Sequence, residues 1–240
     1  MLLDAGEVCD GAALLTDDRA RHLVRVLQVA PGDQVRIGLI DGARGTGTVL
    51  SVSNDAVALG CAFEPIVPRR PPVDLLLALP RPKVLRRLWA QLAALGVARI
   101  AITNAERVER NYFDTHVLTP ACYRPLLIEG LQQARDTRLP IVSIHRQFRV
   151  LVEDELEEVF PAGVRLAAHP GQHRSLSAVL RNHSSDRVVL AVGPEGGWND
   201  FEMQLLEAHG FAPVDMGTRT LRTDTACIAL LTLVHEALRV

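Results

Sequence analysis

The chain has 240 residues, 48% of them hydrophobic and 4% aromatic, and carries 26 Lys and Arg against 28 Asp and Glu for a net charge of −2. That length and apolar share exclude general disorder and leave room for one large or two small domains with a sizeable core. No stretch reaches the roughly 18–20 consecutive apolar residues of a membrane-spanning helix, and Met1-Leu2-Leu3-Asp4 lacks the plan of a secretory signal; with Cys9, Cys61, Cys122 and Cys227 far apart, the expectation is a soluble cytoplasmic protein without disulfides or bound metal.

From Leu14 to Phe63 the pattern is that of a small β-rich unit. Asp17-Asp18 can cap a short helix carrying His22 and Arg25, and Pro31-Gly32-Asp33 is a turn. Strands are predicted at 34–39 and 45–52, split by the hairpin signal Asp41-Gly42, and at 56–62. Pro68-Arg69-Arg70-Pro71-Pro72 removes three backbone donors and fixes φ at each proline, so it reads as a linker between domains 1–68 and 69–240.

Beyond it, strands predicted at 73–79, 99–103, 141–145, 164–168, 188–192 and 213–216 alternate with helices near 82–95, 117–136, 149–159, 175–182, 199–209 and 223–238. The alternation predicts an α/β domain with a mostly parallel sheet, in which ligands gather beyond the carboxyl ends of the strands. Charge follows this division. Residues 1–68 hold 5 basic and 9 acidic side chains, residues 69–150 hold 14 and 6, and residues 151–240 hold 7 and 13. The middle segment suits phosphate backbones, which reward a local concentration of positive charge; solvated helix faces account for it equally well.

The most specific text is Leu190-Ala191-Val192-Gly193-Pro194-Glu195-Gly196-Gly197-Trp198, an apolar strand entering a glycine-rich turn. A tight strand-to-helix connection explains such glycines, and so does the close approach of a small molecule to bare backbone. The spacing fits neither a phosphate loop nor a dinucleotide fingerprint. The second segment runs Met216-Gly217-Thr218-Arg219-Thr220-Leu221-Arg222-Thr223-Asp224-Thr225-Ala226. Thr223 or Asp224 can cap the last helix, but capping leaves Arg219 and Arg222 unexplained, and guanidinium groups at such a loop call for an anionic or carbonyl-rich partner. In His169-Pro170-Gly171-Gln172-His173 the Pro-Gly pair disfavours a helical metal-binding face, which leaves His169 as a structural or pocket-lining residue.

Together these segments resemble the ribosomal small-subunit methyltransferase E family of the SPOUT superfamily, bacterial enzymes that methylate uridine N3 in 16S rRNA. Val192–Gly197 and Leu221–Ala226 look like its two signature loops, and His22–Leu27 with Pro31-Gly32-Asp33 and Asp41-Gly42 is similar to its N-terminal PUA-like barrel. Leu95-Gly96-Val97 and Leu166–Pro170 also fall where that family has related segments. The resemblance implies a PUA-like β-barrel over 1–68, a SPOUT domain with a trefoil knot over 69–240, S-adenosylmethionine as cofactor, a homodimer, and 16S rRNA or the small ribosomal subunit as partner. Carried over, Gly193, Pro194, Glu195, Gly196, Gly197, Met216, Gly217 and Leu221 hold the cofactor, with Leu190, His169, Pro170, Thr225 and Ala226 on the same side. Arg222 and Thr223 face the reacting uracil. His22, Arg25, Arg69, Arg70, Arg81, Lys83, Arg86 and Arg87 are the candidate RNA contacts. The chain departs from the family pattern at Gln28, where a basic residue is common, at Gln91 and Ala94, at Gln132, and at Asp224, where glutamate is usual. Methylation of another rRNA or tRNA nucleotide, and a noncatalytic RNA-binding or assembly role, stand as alternatives.

Overall fold

The computed structural model describes residues 1–171, 174–181 and 187–238. The chain divides into two compact units, one of Met1–Arg70 with Leu131–Leu139 and one of Pro71–Gly130 with Pro140–Val240.

In the first unit, β1 (Leu2–Leu3), β2 (Val8–Cys9), β3 (Ala12–Leu15), β4 (Gln34–Leu39), β5 (Arg44–Val52) and β6 (Val57–Phe63) form one sheet in the order β1-β4-β5-β6-β3-β2. The predicted hairpin joins β4 to β5, with Asp41 in the left-handed region at φ 58° and Gly42 N–H donating to Leu39 O at 2.8 Å. A bulge at Leu50 breaks the β5–β6 register. Helix α1 (Asp18–Arg25) starts at Asp17, whose side chain accepts the Arg19 N–H at 2.9 Å. It buries Ala20 and Leu23 in a core with Leu3, Leu15, Ile37, Val49, Val57 and Leu59. Arg19 pairs with Glu7 and Asp17, and its hydrogen bonds hold both carboxyls below the usual range.

Residues 131–139 belong to this unit through the hairpin turn. Asp41 N–H donates to Thr137 O (2.7 Å), the buried Thr137 hydroxyl donates to Gly42 O (2.6 Å), and Arg138 donates to Asp41 O (2.8 Å). Arg70 completes the latch with one nitrogen on Leu139 O and another on the Asp41 carboxylate, both at 2.9 Å.

The second unit carries seven parallel strands: β7 (Val73–Ala78), β8 (Val97–Thr103), β9 (Ile141–His145), β10 (Val164–Ala168), β11 (Arg174–Ser175), β12 (Val188–Val192) and β13 (Ala212–Asp215), in the order β11-β13-β10-β12-β7-β8-β9. β7 and β12 are buried at every residue, as central parallel strands must be. The one charge in β7, Asp74, is fully buried and held by a two-pronged bond from Arg187 at 2.7 and 2.8 Å.

The helices are α2 (Pro82–Ala94), α3 (Pro120–Ala134), α4 (Phe148–Val150), α5 (Leu156–Val159), α6 (Leu176–Leu180), α7 (Asp200–Ala208) and α8 (Thr223–Ala237). Three differ from expectation. α3 starts at Pro120 rather than 117, because a residue before proline resists the helical region; 3-10 turns at Arg110–Asp114 and His116–Leu118 precede it. The helix predicted over 149–159 is split by a π turn at Leu151–Glu155. α6 ends at Leu180, and the last residue of the helix predicted there, 182, lies outside the described residues. α8 packs on β7, β12 and α2. No helix among the described residues is long and apolar enough to cross a membrane.

Candidate functional site

The chain leaves β10, β12 and β13 at the same ends of three neighbouring parallel strands, and the segments that follow surround one cleft of about 670 Å³ including its open mouth. Ala168, His169 and Pro170 come from β10, Val192 to Glu195 and Gly197 from β12, and Val214 to Gly217 from β13. Arg219, Thr220 and Leu221 continue the last wall, and Thr223, Ala226 and Leu230 of α8 close it.

The turn after β12 is tightly built. Gly193 and Pro194 are buried, and Gly197, at φ 71°, donates its N–H to Pro194 O at 2.8 Å. A Cβ on Gly193 would stand 3.1 Å from Trp198 N and 3.3 Å from Gly197 Cα, so only a bare α-carbon fits without displacing backbone. Glu195 accepts the Arg81 N–H at the start of α2 (3.0 Å), and Arg107 donates to Gly196 O (2.5 Å). The turn then passes into α7 through a capping box between Asn199 and the buried Glu202. Trp198 is buried against Phe148, with ring centroids 5.3 Å apart.

The loop after β13 is looser. Gly217, at φ 100°, donates to the Asp215 carboxylate at 3.0 Å, and Gly217 to Arg222 are exposed throughout. The N-cap of α8 is Arg222, and no side chain caps it, in place of the expected Thr223 or Asp224 cap. Thr223 is buried in the first turn. Asp224 accepts the Thr225 N–H at 2.9 Å and pairs with Arg87 at 3.2 Å, where its charge favours the positive end of the helix. Behind it, complete burial pushes the Cys227 thiol up to about 12.

Of the residues assigned to the cofactor by resemblance, His169, Pro170, Gly193, Pro194, Glu195, Gly197, Met216, Gly217, Leu221 and Ala226 line the cleft. Leu190 is fully buried in mid-strand, Gly196 lies under the Arg107 side chain, and Thr225 is exposed on α8. Thr223 lines the cleft, whereas Arg222 stands exposed at its border. His169 N–H donates to Val214 O at 3.0 Å; Gln172 and His173, from the same motif, lie outside the described residues. Among the described residues no cluster of His, Cys, Asp and Glu could hold a metal ion.

The arginines of the middle segment separate by partner. Arg70 and Arg87 are engaged with Asp41 and Asp224, while Arg69, Arg81, Lys83 and Arg86 are exposed. In the first unit, His22 lines a depression with Arg19, Arg36 and Gln132, and Arg25 is exposed on the same helix. Ser143, His145 and Glu155 form a hydrogen-bonded row, Oγ to Nε2 at 2.8 Å and Nδ1 to Oε2 at 2.6 Å. The row sits on the edge strand β9, at the end of the sheet away from the cleft, where it ties that strand to the π turn. Sequence reasoning missed Arg107 and Glu202: the Asn199–Glu202 spacing is a legible capping signal, but nothing local marks an arginine 89 residues from its partner.

Residues 68–235 match the model of an RNA methyltransferase domain, and residues 15–59 match that of an RNA methyltransferase PUA domain. The chain is 31% identical to the ribosomal RNA small subunit methyltransferase E of Treponema pallidum, with 98% of this chain and 89% of that protein covered. It is 26% identical to the first such enzyme of Borreliella burgdorferi, over 95% and 94% of the two chains. Its fold is that of a ribosomal RNA small subunit methyltransferase E from Neisseria gonorrhoeae crystallised bound to S-adenosyl methionine, with a TM-score of 0.79, 22% identity and coverage of 98% and 96%. A putative methyltransferase from Legionella pneumophila, in complex with the same cofactor, gives a TM-score of 0.78 at 24% identity, over 98% and 97% of the two chains. A chain matched along nearly its whole length, with both domain types in order and the cleft at the strand ends, belongs to the ribosomal RNA small subunit methyltransferase E family.

Proposed function

We propose that this chain is an S-adenosylmethionine-dependent methyltransferase that modifies N3 of a uridine in 16S rRNA, acting on the small ribosomal subunit in the cytoplasm as a homodimer with a knotted C-terminal domain. The observation that carries the reading is the meeting of both signature loops on one cleft beyond β10, β12 and β13. The cleft fits the cofactor in kind: bare backbone at Gly193 and Gly197, apolar walls from Val192, Met216, Leu221, Ala226 and Leu230, and a few polar groups, His169, Asp215 and Thr223 among them. The 193–197 turn and residues 216–221 would hold it through backbone groups, with His169 and Pro170 beside them; Leu190, Gly196 and Thr225 would support that wall from behind. When bound, S-adenosylmethionine supplies a methyl group already made electrophilic by its sulfonium.

The work left to the protein is alignment and control of one proton. Uracil N3 is a weak nucleophile while its proton is in place, and removing that proton spreads negative charge over the nitrogen and both carbonyl oxygens. Arg222, at the mouth and in no ion pair among the described residues, is suited to stabilise that charge, with Thr223 beneath it at the cleft wall. A ring nitrogen inside a paired helix is out of reach, so the target base is unpaired or flipped out. Arg81, Lys83 and Arg86 in the second unit, and His22, Arg25 and Arg69 in the first, are the proposed phosphate contacts; Arg70 and Arg87, with carboxylate partners of their own, are weaker ones.

Small subunits isolated from cells lacking the protein, incubated with it and a labelled methyl donor and digested for mass spectrometry, test the reading. One new N3-methyluridine in 16S rRNA is expected. Transfer to another atom or another RNA would replace the proposed target, and donor binding without transfer to any RNA would replace the catalytic reading.

A further inference from the structure

We infer that Arg107 is a positioning residue for the cofactor turn, clamping it from outside the cleft. The inference rests on the reading of that cleft as the S-adenosylmethionine site. Two contacts carry it. The guanidinium Nη1 donates to Gly196 O at 2.5 Å, and the arginine stem lies flat against the same residue: a Cβ on Gly196 would come within 2.9 Å of Arg107 Cδ and 3.1 Å of its Cβ. One side chain therefore both covers the bare glycine and holds its carbonyl, a charge-assisted bond combined with stem packing.

The peptide so held is the one that enters Gly197, the glycine that lines the cleft in the left-handed region. A rotation of that peptide would move the Gly197 N–H off Pro194 O and swing a carbonyl dipole toward or away from the ligand wall. With Gly196 O bonded on the outer side, only one orientation keeps both hydrogen bonds. Nothing in the turn's own sequence supplies this restraint, because two successive glycines leave the backbone at its most permissive.

Arg107 can act as a clamp because its own backbone is anchored. The neighbouring Glu106 N–H donates to Glu202 Oε1 at 2.7 Å, while the other oxygen of this buried carboxylate accepts the Asn199 N–H at 2.8 Å. Ala105 and Val108 are buried on either side. One carboxylate thus fixes the segment that bears the clamp and the first turn of the helix that follows the clamped turn. The arrangement places the support outside the ligand's reach and the supported backbone inside it, so Arg107 touches neither donor nor base.

An exposed arginine in an rRNA methyltransferase has an obvious competing role as a phosphate contact, and the two roles separate by measurement. Arg107→Met keeps the stem and removes the donor, and Arg107→Lys restores a charged donor. Calorimetry with S-adenosylmethionine and with its demethylated product, on wild type and both variants, reads the clamp without any catalysis. The expected result is a Kd raised about ten- to a hundredfold in Arg107→Met and partly restored in Arg107→Lys, the scale of a lost hydrogen bond to a charged group. The KM for the donor should rise in step, with kcat at saturating donor, the KM for RNA and the melting temperature near wild type. Unchanged donor affinity in Arg107→Met overturns the inference, as does a rise confined to the KM for RNA, which is the signature of a phosphate contact. Wild type that fails to bind either compound removes the site reading itself, and the clamp with it.

Discussion

The two loops that face each other across the cleft are built on opposite plans. Residues 193–197 are fastened on three sides, by the Arg81 N–H, by Arg107 and by their own turn hydrogen bond, and their first two residues are buried. Residues 217–222 are exposed throughout, held by one bond from Gly217 at their start and by the first turn of α8 at their end. The difference teaches a division of labour. A preformed wall lowers the entropic cost of receiving a ligand, whereas an exposed strand of polar side chains keeps its groups free for a substrate that arrives separately. The looser loop is also the one that carries Arg219 and Arg222.

Four measurements would break or sharpen that contrast. If the exposed loop serves the substrate, Arg222→Ala should lower kcat by about a hundred- to a thousandfold, the usual cost of removing one oxyanion-type donor. Donor affinity by calorimetry should stay near wild type; single-turnover transfer at the wild-type rate would end the assignment. If the fastened turn serves the donor, Gly193→Val should weaken donor binding by roughly ten- to a hundredfold, since overpacking against backbone costs about 1–3 kcal/mol, and rRNA affinity should be spared. A smaller effect is expected at the root of the exposed loop. Arg87→Ala breaks a surface pair with Asp224 and should cost at most about 1 kcal/mol in denaturant unfolding, with Arg87→Asp/Asp224→Arg recovering what either reversal alone loses.

The last effect is silent at neutral pH and appears only in alkali: the titration of Cys227. Its folded pKa, near 12, lies above the ordinary thiol value, so the stability it contributes is complete below about pH 9. As pH rises from there toward 12, the unfolded chain loses the proton while the folded chain keeps it, and stability falls. A Cys227→Ala variant should show a shallower decline in that window, and in the native protein at pH 8 the exposed Cys9 should react with a thiol reagent long before Cys227 does.

What could be seen in the sequence was whatever chemistry writes locally. The buried runs of β7 and β12, the Asp41-Gly42 hairpin and the helix starting at Asp17 are each set by residues within a few positions of one another, and each was legible. The strands at Leu2–Leu3, Val8–Cys9 and Arg174–Ser175 were not, because two residues cannot display a period; their pairing is decided by partners far along the chain. The helix predicted over 149–159 has the right composition, yet its π turn answers to packing rather than propensity. Residues 131–136 read as the end of a helix, and only the bonds of the 131–139 segment to Asp41 and Gly42 reveal that it completes the first sheet's unit. At the cleft, the two glycine-bearing loops could be found by their text. Arg107 and the Arg87–Asp224 pair could not, since contacts 89 and 137 residues apart leave no local mark.

The strand order of the second unit bears on how the protein is made. β10 has only β12 and β13 as neighbours, and β12 also seals the open flank of β7, which is apolar at every residue but Asp74. All of this pairing waits for residues beyond 187. A nascent chain emerging from the exit tunnel therefore carries an unsealed, greasy sheet margin from the completion of β7 until β12 is made, a template for chaperones or for aggregation. Truncation anywhere before Val188 should yield inclusion bodies rather than a smaller folded product.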